Sequence, residues 1–232
     1  MKPNILKIVS IAALVLIALM ICVFKIKDKP MKVAILDTGI NNASVESKLI
    51  SKEFINDSSK DNNHANDIAQ IIESQNKTII YDAKVLNKDG VGKVEDTVEA
   101  IDWAIKNNVK IINMSYGFTH YYQTLYKKII EARQHDIIII CANGNDIFGQ
   151  KEYPASYQET ISIGVMKNEK SKSIFNSNDN ADLYISLNNH SEKMINNTSE
   201  ATALATNRLI KKYKSDFSNM DKQELITLIK EE

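Results

Sequence analysis

The sequence predicts an α/β domain built on a parallel sheet flanked by helices, with an apolar helix ahead of it. Three observations lead there. From residue 32 onward short apolar runs alternate with segments of helical period, the pattern of buried strands joined by covering helices. No internal repeat or low-complexity linker interrupts that alternation, so residues 31–232 read as one domain. Before it, the run 8–24 is apolar and bracketed by Lys2 and Lys7 on one side and Lys25, Lys27 and Lys29 on the other.

That first run sets residues 1–30 apart as a membrane anchor. It closes with Leu19, Met20, Ile21, Cys22, Val23 and Phe24, which offers no small-residue cleavage site, and Ile21 ahead of Cys22 makes a poor lipoprotein signal. A retained transmembrane helix is therefore expected over a cleaved signal. Lysines flank both ends, so charge does not orient the body of the protein. Next, Val33 to Leu36 read as a buried strand ending at Asp37, Thr38 and Gly39. Ile68, Ala69, Ile71 and Ile72 make one helical face, and 78–86 is the following strand. A helix over 95–106 carries Val98, Ile101, Trp103, Ala104 and Ile105. The pattern then repeats with a strand at 109–114, a helix at 121–133, strands at 137–142 and 160–165, and helices at 200–213 and 221–230.

Composition narrows the function classes. The 29 basic and 29 acidic residues cancel, leaving no single-sign field of the kind that holds nucleic acid. Cys22 and Cys141 sit in different apolar settings, so neither a disulfide framework nor a zinc cluster can be built from them. The run Asp89-Gly90-Val91-Gly92 lacks the full glycine fingerprint of a nucleotide site and precedes a helix rich in acidic residues.

In open α/β sheets, sites form beyond the carboxyl ends of the strands. Asp37 and Asn145 directly follow predicted strands, while His64 and Ser199 stand at the starts of predicted helices. Acyl transfer needs a nucleophilic oxygen, a base, a carboxylate to orient the base, and donors for the developing oxyanion. These residues supply one of each. Taken singly each is ordinary: a turn after a strand, a surface histidine, an Asn-Gly turn, a helix cap.

Their neighbours add more. The stretch Val33-Ala34-Ile35-Leu36-Asp37-Thr38-Gly39-Ile40 resembles the strand that carries the triad aspartate in the subtilisin-like serine peptidases, the subtilases. Lys84 to Gly92, Ala100 to Ile105 and Ile111 to Gly117 are similar to that family's substrate-edge segment, helix and S-x-G segment. Ile140 to Asn145, with Tyr153-Pro154-Ala155 and Ile161 to Val165 after it, resembles the strand that ends in the oxyanion asparagine. Two motifs depart from the family. His64-Ala65-Asn66-Asp67-Ile68-Ala69 stands where the family has H-G-T-H-V-A, and Asn197-Thr198-Ser199-Glu200-Ala201-Thr202 where it has G-T-S-M-A-S/T. Asn197 is the residue type that best replaces a glycine of positive φ. Glu200 puts a carboxylate beside the place where negative charge must build.

The resemblance implies a subtilisin-like fold and a serine endopeptidase with Asp37, His64 and Ser199 as triad and Asn145 as oxyanion donor. It implies an extended peptide or protein substrate held along Gly90, Val91 and Gly92 and along Ser115, Tyr116 and Gly117. Ala142, Asn143 and Gly144 would line the pocket for the side chain before the scissile bond. No cofactor is implied. Family members often hold structural calcium, but the shortened loops offer no assignable ligand set. Many are exported, so the domain is expected outside the cytoplasm behind its anchor. The alternative is a subtilase-like pseudoenzyme that binds peptides or a partner without cutting them, favoured by Glu200 and the altered His64 segment.

Overall fold

Strand β1 (Met31–Asp37) is at the centre of an eight-stranded sheet of order β2-β3-β1-β4-β5-β6-β7, with β8 also paired to β6. The computed structural model describes residues 30–56, 63–73, 78–145, 150–168, 171–172, 176, 181–186, 197–212, 217 and 220–230. The apolar run 8–24 lies outside them; among the described residues no helix is long and apolar enough to cross a membrane.

The other strands are β2 (Lys48–Glu53), β3 (Thr78–Lys84), β4 (Ile111–Met114), β5 (Ile138–Ala142), β6 (Ile161–Asn168), β7 (Ser171–Lys172) and β8 (Leu183–Ser186). All pairings are parallel except β6 with β7, which is antiparallel, so the expected parallel sheet acquires one antiparallel edge. Helices α1 (His64–Glu73), α2 (Val94–Lys106), α3 (Gln123–Gln134), α4 (Thr198–Lys212) and α5 (Lys222–Lys230) cover it. The helices at 95–106, 121–133, 200–213 and 221–230 are thus found within one or two residues of their expected starts and ends.

Side chains alternate across a strand, so β1 feeds two separate cores. Val33 and Ile35 pack with Ile68 and Ile72 of α1 and Leu204 and Leu209 of α4 on one face. Ala34 and Leu36 pack with Ala100, Ile101 and Ala104 of α2 and Leu125 and Ile129 of α3 on the other. Burial on both sides is why these strands are continuous apolar runs.

Helix α4 passes through the first core, and its buried small residues Ala201, Ala203 and Ala205 allow that close approach. Two of its buried hydroxyls donate within the helix: Thr202 Oγ1 to the Thr198 carbonyl at 2.7 Å and Thr206 Oγ1 to the Thr202 carbonyl at 3.0 Å. At its far end Asn207 Nδ2 donates to the Ile72 carbonyl at 2.9 Å, satisfying one of the carbonyls left open at the end of α1. The chain leaves β1 for one side of the sheet through β2 and β3, then crosses to the other side through β4, β5 and β6. That reversal opens a crevice at the carboxyl end of β1.

Candidate active site

Asp37 ends β1 with no exposure and cannot be solvated, so its carboxylate must be bonded from within. The Thr38 N–H donates to Oδ1 at 2.7 Å, and His64 Nδ1 lies 2.8 Å from Oδ1 and 3.0 Å from Oδ2. An imidazole held this way carries its proton on Nδ1, which leaves Nε2 as the acceptor. The hydrogen bond to Asp37 is the largest influence on His64 and raises its pKa above the usual 6.5. Burial opposes that shift, while the charges of Asp37, Asp67 and Glu200 add to it.

His64 opens α1 directly after Asn63, whose φ of 66° an asparagine tolerates better than most residues. The altered motif around it keeps working contacts. Ala65 is helical and fully buried, so the position needs no glycine, and its N–H reaches Thr38 Oγ1 at 3.4 Å. Asn66 Oδ1 accepts the Asn41 N–H at 2.8 Å, tying the loop after Asp37 to the helix that carries His64.

Ser199 lies in the first turn of α4 and is buried. Its Oγ donates to the Ser115 carbonyl at 3.1 Å. Ser115 Oγ in turn donates to Asn113 Oδ1 at 3.1 Å and to the Ser199 carbonyl at 3.3 Å, so the segments after β4 and at the start of α4 are laced together. Asn197 acts as a cap: its Oδ1 accepts the Glu200 N–H at 2.9 Å. Asn145 Oδ1 accepts from Thr198 Oγ1 at 2.8 Å and from the Thr198 N–H at 3.2 Å. With its carbonyl oxygen engaged, the amide presents Nδ2 as its remaining polar group.

His64, Asn145 and Ser199 line one open cleft of about 550 Å³, and Gly90, Ser115, Tyr116, Gly117, Ala142 and Gly144 complete its expected walls. Val91, Gly92 and Asn143 do not line it. Asn87 Oδ1 and the Asn87 N–H bond the Val91 N–H and carbonyl at 2.9 Å each, closing a turn that leaves the Val91 side chain 64% exposed. Gly92 is pressed onto β3's continuation, where a β-carbon would come within 2.3 Å of the Val85 carbonyl oxygen. Asn143 is buried, its N–H given to the Ile163 carbonyl at 2.9 Å. Directly after Gly117, Phe118 makes paired main-chain bonds with Tyr153.

Sequence reasoning missed Thr38, Leu86, Lys88 and Glu152 in the lining and Thr198 as the anchor of Asn145. Thr198 could have been found, since it is next to the nucleophile candidate at a helix start. Nothing local marks Glu152. Among the described residues no group of three or more His, Cys, Asp or Glu side chains could hold a metal ion. Cys141 is a buried free thiol in β5, its pKa pushed up by burial, and takes no part in the cleft.

A family model described as the Subtilase family matches residues 28–231. The chain belongs to the subtilase family. Among curated subtilases and related proteases, it is 28% identical over 158 residues to the minor extracellular protease Epr of Bacillus subtilis (strain 168), covering 62% of this chain and 24% of that protein. It is 28% identical over 169 residues to subtilisin DY of Bacillus licheniformis, covering 65% of this chain and 62% of that one. With an intracellular serine protease of Paenibacillus polymyxa the identity is 30% over 183 residues, covering 68% and 56%. This subtilase chain thus spans less than two thirds of the length of these relatives.

Proposed function

We propose that this subtilase is a serine endopeptidase in which Ser199 attacks the scissile carbonyl, His64 is the general base and acid, and Asp37 orients the imidazole and stabilises the imidazolium that forms. The observation that carries it is the Asp37–His64 pair, with contacts of 2.8 and 3.0 Å, opening onto the same cleft as Ser199 and Asn145. The Ser199 hydroxyl, now on the Ser115 carbonyl, turns about χ1 to give its proton to His64 Nε2. Oγ then bonds to the peptide carbon. The negative oxygen that forms takes hydrogen bonds from Asn145 Nδ2 and the Ser199 N–H. His64 passes the proton to the leaving amine, and a water cleaves the acyl-enzyme by the same steps reversed.

The relatives are named as proteases, which supports a peptide or protein substrate. Anchoring by the run 8–24, with the domain outside the cytoplasm, is the matching proposal for location. A fluorophosphonate probe tests the chemistry: it should label the wild type on Ser199, and Ser199→Ala should lose both labelling and peptide cleavage while keeping its melting behaviour. A folded wild type that neither labels nor cleaves would refute the endopeptidase and support the peptide-binding alternative.

A further inference from the structure

One carboxylate in the cleft has no part in this mechanism. Glu152 lies just after the 146–149 segment and just before Tyr153, whose N–H donates to the Phe118 carbonyl at 2.8 Å while the Phe118 N–H donates to the Tyr153 carbonyl at 2.7 Å. That pairing brings Glu152 against Gly117. A β-carbon at 117 would sit 2.5 Å from Glu152 Oε2 and 2.8 Å from Glu152 Cβ, so the missing side chain at 117 is what admits the carboxylate. Glu152 is half-buried and lines the cleft together with Gly117, Ala142 and Gly144.

We propose that Glu152 sets the side-chain preference of the cleft, selecting peptides with arginine or lysine at the residue before the scissile bond. This rests on the reading that the cleft takes an extended peptide. A half-buried carboxylate is screened less than an exposed one and favours a cation while disfavouring an acidic or apolar side chain. Lys88 and Asp89, also in the lining, are exposed and of opposite sign, so solvent screens both more than it screens half-buried Glu152. An ionised carboxylate has about four acceptor positions, so a partner within the chain leaves room for an ammonium or a two-pronged guanidinium.

The experiment uses otherwise identical tetrapeptides with Arg, Lys, Leu or Glu at that residue, as chromogenic anilides for cleavage by the full chain and as amides for binding to full-chain Ser199→Ala. Arg and Lys peptides should be preferred over Leu and Glu peptides by about tenfold or more in both readouts, as expected where discrimination is about 1.4 kcal/mol or greater. The preference should weaken with salt. Glu152→Gln keeps the shape and should erase it; Glu152→Lys should reverse it toward the Glu peptide. Melting curves of each variant exclude misfolding as the cause. Cleavage or binding that favours Leu, or an Arg preference that survives Glu152→Gln, overturns the proposal. Glu152-dependent binding without any cleavage sustains it and refutes the endopeptidase; cleavage indifferent to Glu152 does the reverse. A folded chain that binds and cleaves none of the peptides overturns both.

Discussion

Asn145 offers the sharpest quantitative test, because the structure says which of its atoms is available. Its Oδ1 is held by two donors of Thr198, at 2.8 and 3.2 Å, and turning the amide over would set Nδ2 against the Thr198 N–H, which can only donate. Asn145→Ala removes a donor to the oxyanion, a loss of about 2.7–4 kcal/mol that corresponds to roughly a hundred- to a thousandfold in kcat, a figure itself taken from a subtilisin. Thr198→Val leaves the shape and the backbone donor but deletes the hydroxyl. The amide is then held by one bond instead of two, and a net hydrogen bond of about 0.5–1.5 kcal/mol translates into roughly a two- to tenfold fall in kcat. Because the Thr198 hydroxyl reaches the oxyanion only by holding Asn145, the double variant should be no slower than Asn145→Ala. Thr198 Oγ1 also donates to the Gly144 carbonyl at 3.2 Å, so Thr198→Val should melt at a lower temperature. Active-site titration at a temperature well below that melt keeps the two effects apart. Additive losses in the double variant, or an Asn145→Ala enzyme within about threefold of wild-type kcat, would refute this reasoning.

Four further outcomes follow. His64 must be neutral to act as a base, and the Glu200 charge is one of the causes that raise its pKa; Glu200→Gln should therefore move the acid limb of the kcat/KM profile to lower pH, and an unmoved limb contradicts it. The same raised value makes the His64–Asp37 pair a stabilising contribution that is fully present below about pH 6.5 and lost as pH rises through the folded pKa, which a series of melts with wild type and His64→Ala reads directly. Asn113 is fully buried, with Nδ2 on Thr206 Oγ1 at 3.0 Å and Oδ1 accepting from Ser115 Oγ at 3.1 Å; Asn113→Ala should cost about 1–3 kcal/mol in urea unfolding, and an unchanged midpoint would contradict this. If the run 8–24 anchors the chain, carbonate washing should leave it in the membrane fraction, and a soluble mature protein beginning near Lys25 would overturn the anchor.

The site was legible where chemistry and topology coincide. Asp37 and Asn145 could be placed because a polar residue closing a continuous apolar run marks a sheet rim, and His64 and Ser199 because they begin helices whose apolar faces are plain. Strand β2 was not seen: Lys48, Ser51, Lys52 and Glu53 are exposed on an edge strand, which reads as polar loop. The turn that the Asn87 side chain makes by accepting the Asp89 and Val91 N–H groups was not legible either, because such an interaction has no periodic trace. Glu152 was hidden for another reason. Its place in the cleft depends on the pairing of Phe118 with Tyr153, and long-range pairing of single residues leaves nothing local to read.

The passage of α4 through the first core also bears on how the chain is made. The base-bearing helix α1 is synthesised early, but the core its apolar face joins also takes Ala201, Leu204 and Leu209 of α4 and Leu225, Ile226 and Ile229 of α5, which are synthesised after it. Ser199 arrives on the same late helix. A growing chain therefore holds an aspartate and a histidine without a nucleophile, over a half-built core, until α4 and α5 dock. Under the proposed chemistry, hydrolytic capacity and completion of the fold begin together, so an unfinished chain has no means of cutting itself or its neighbours.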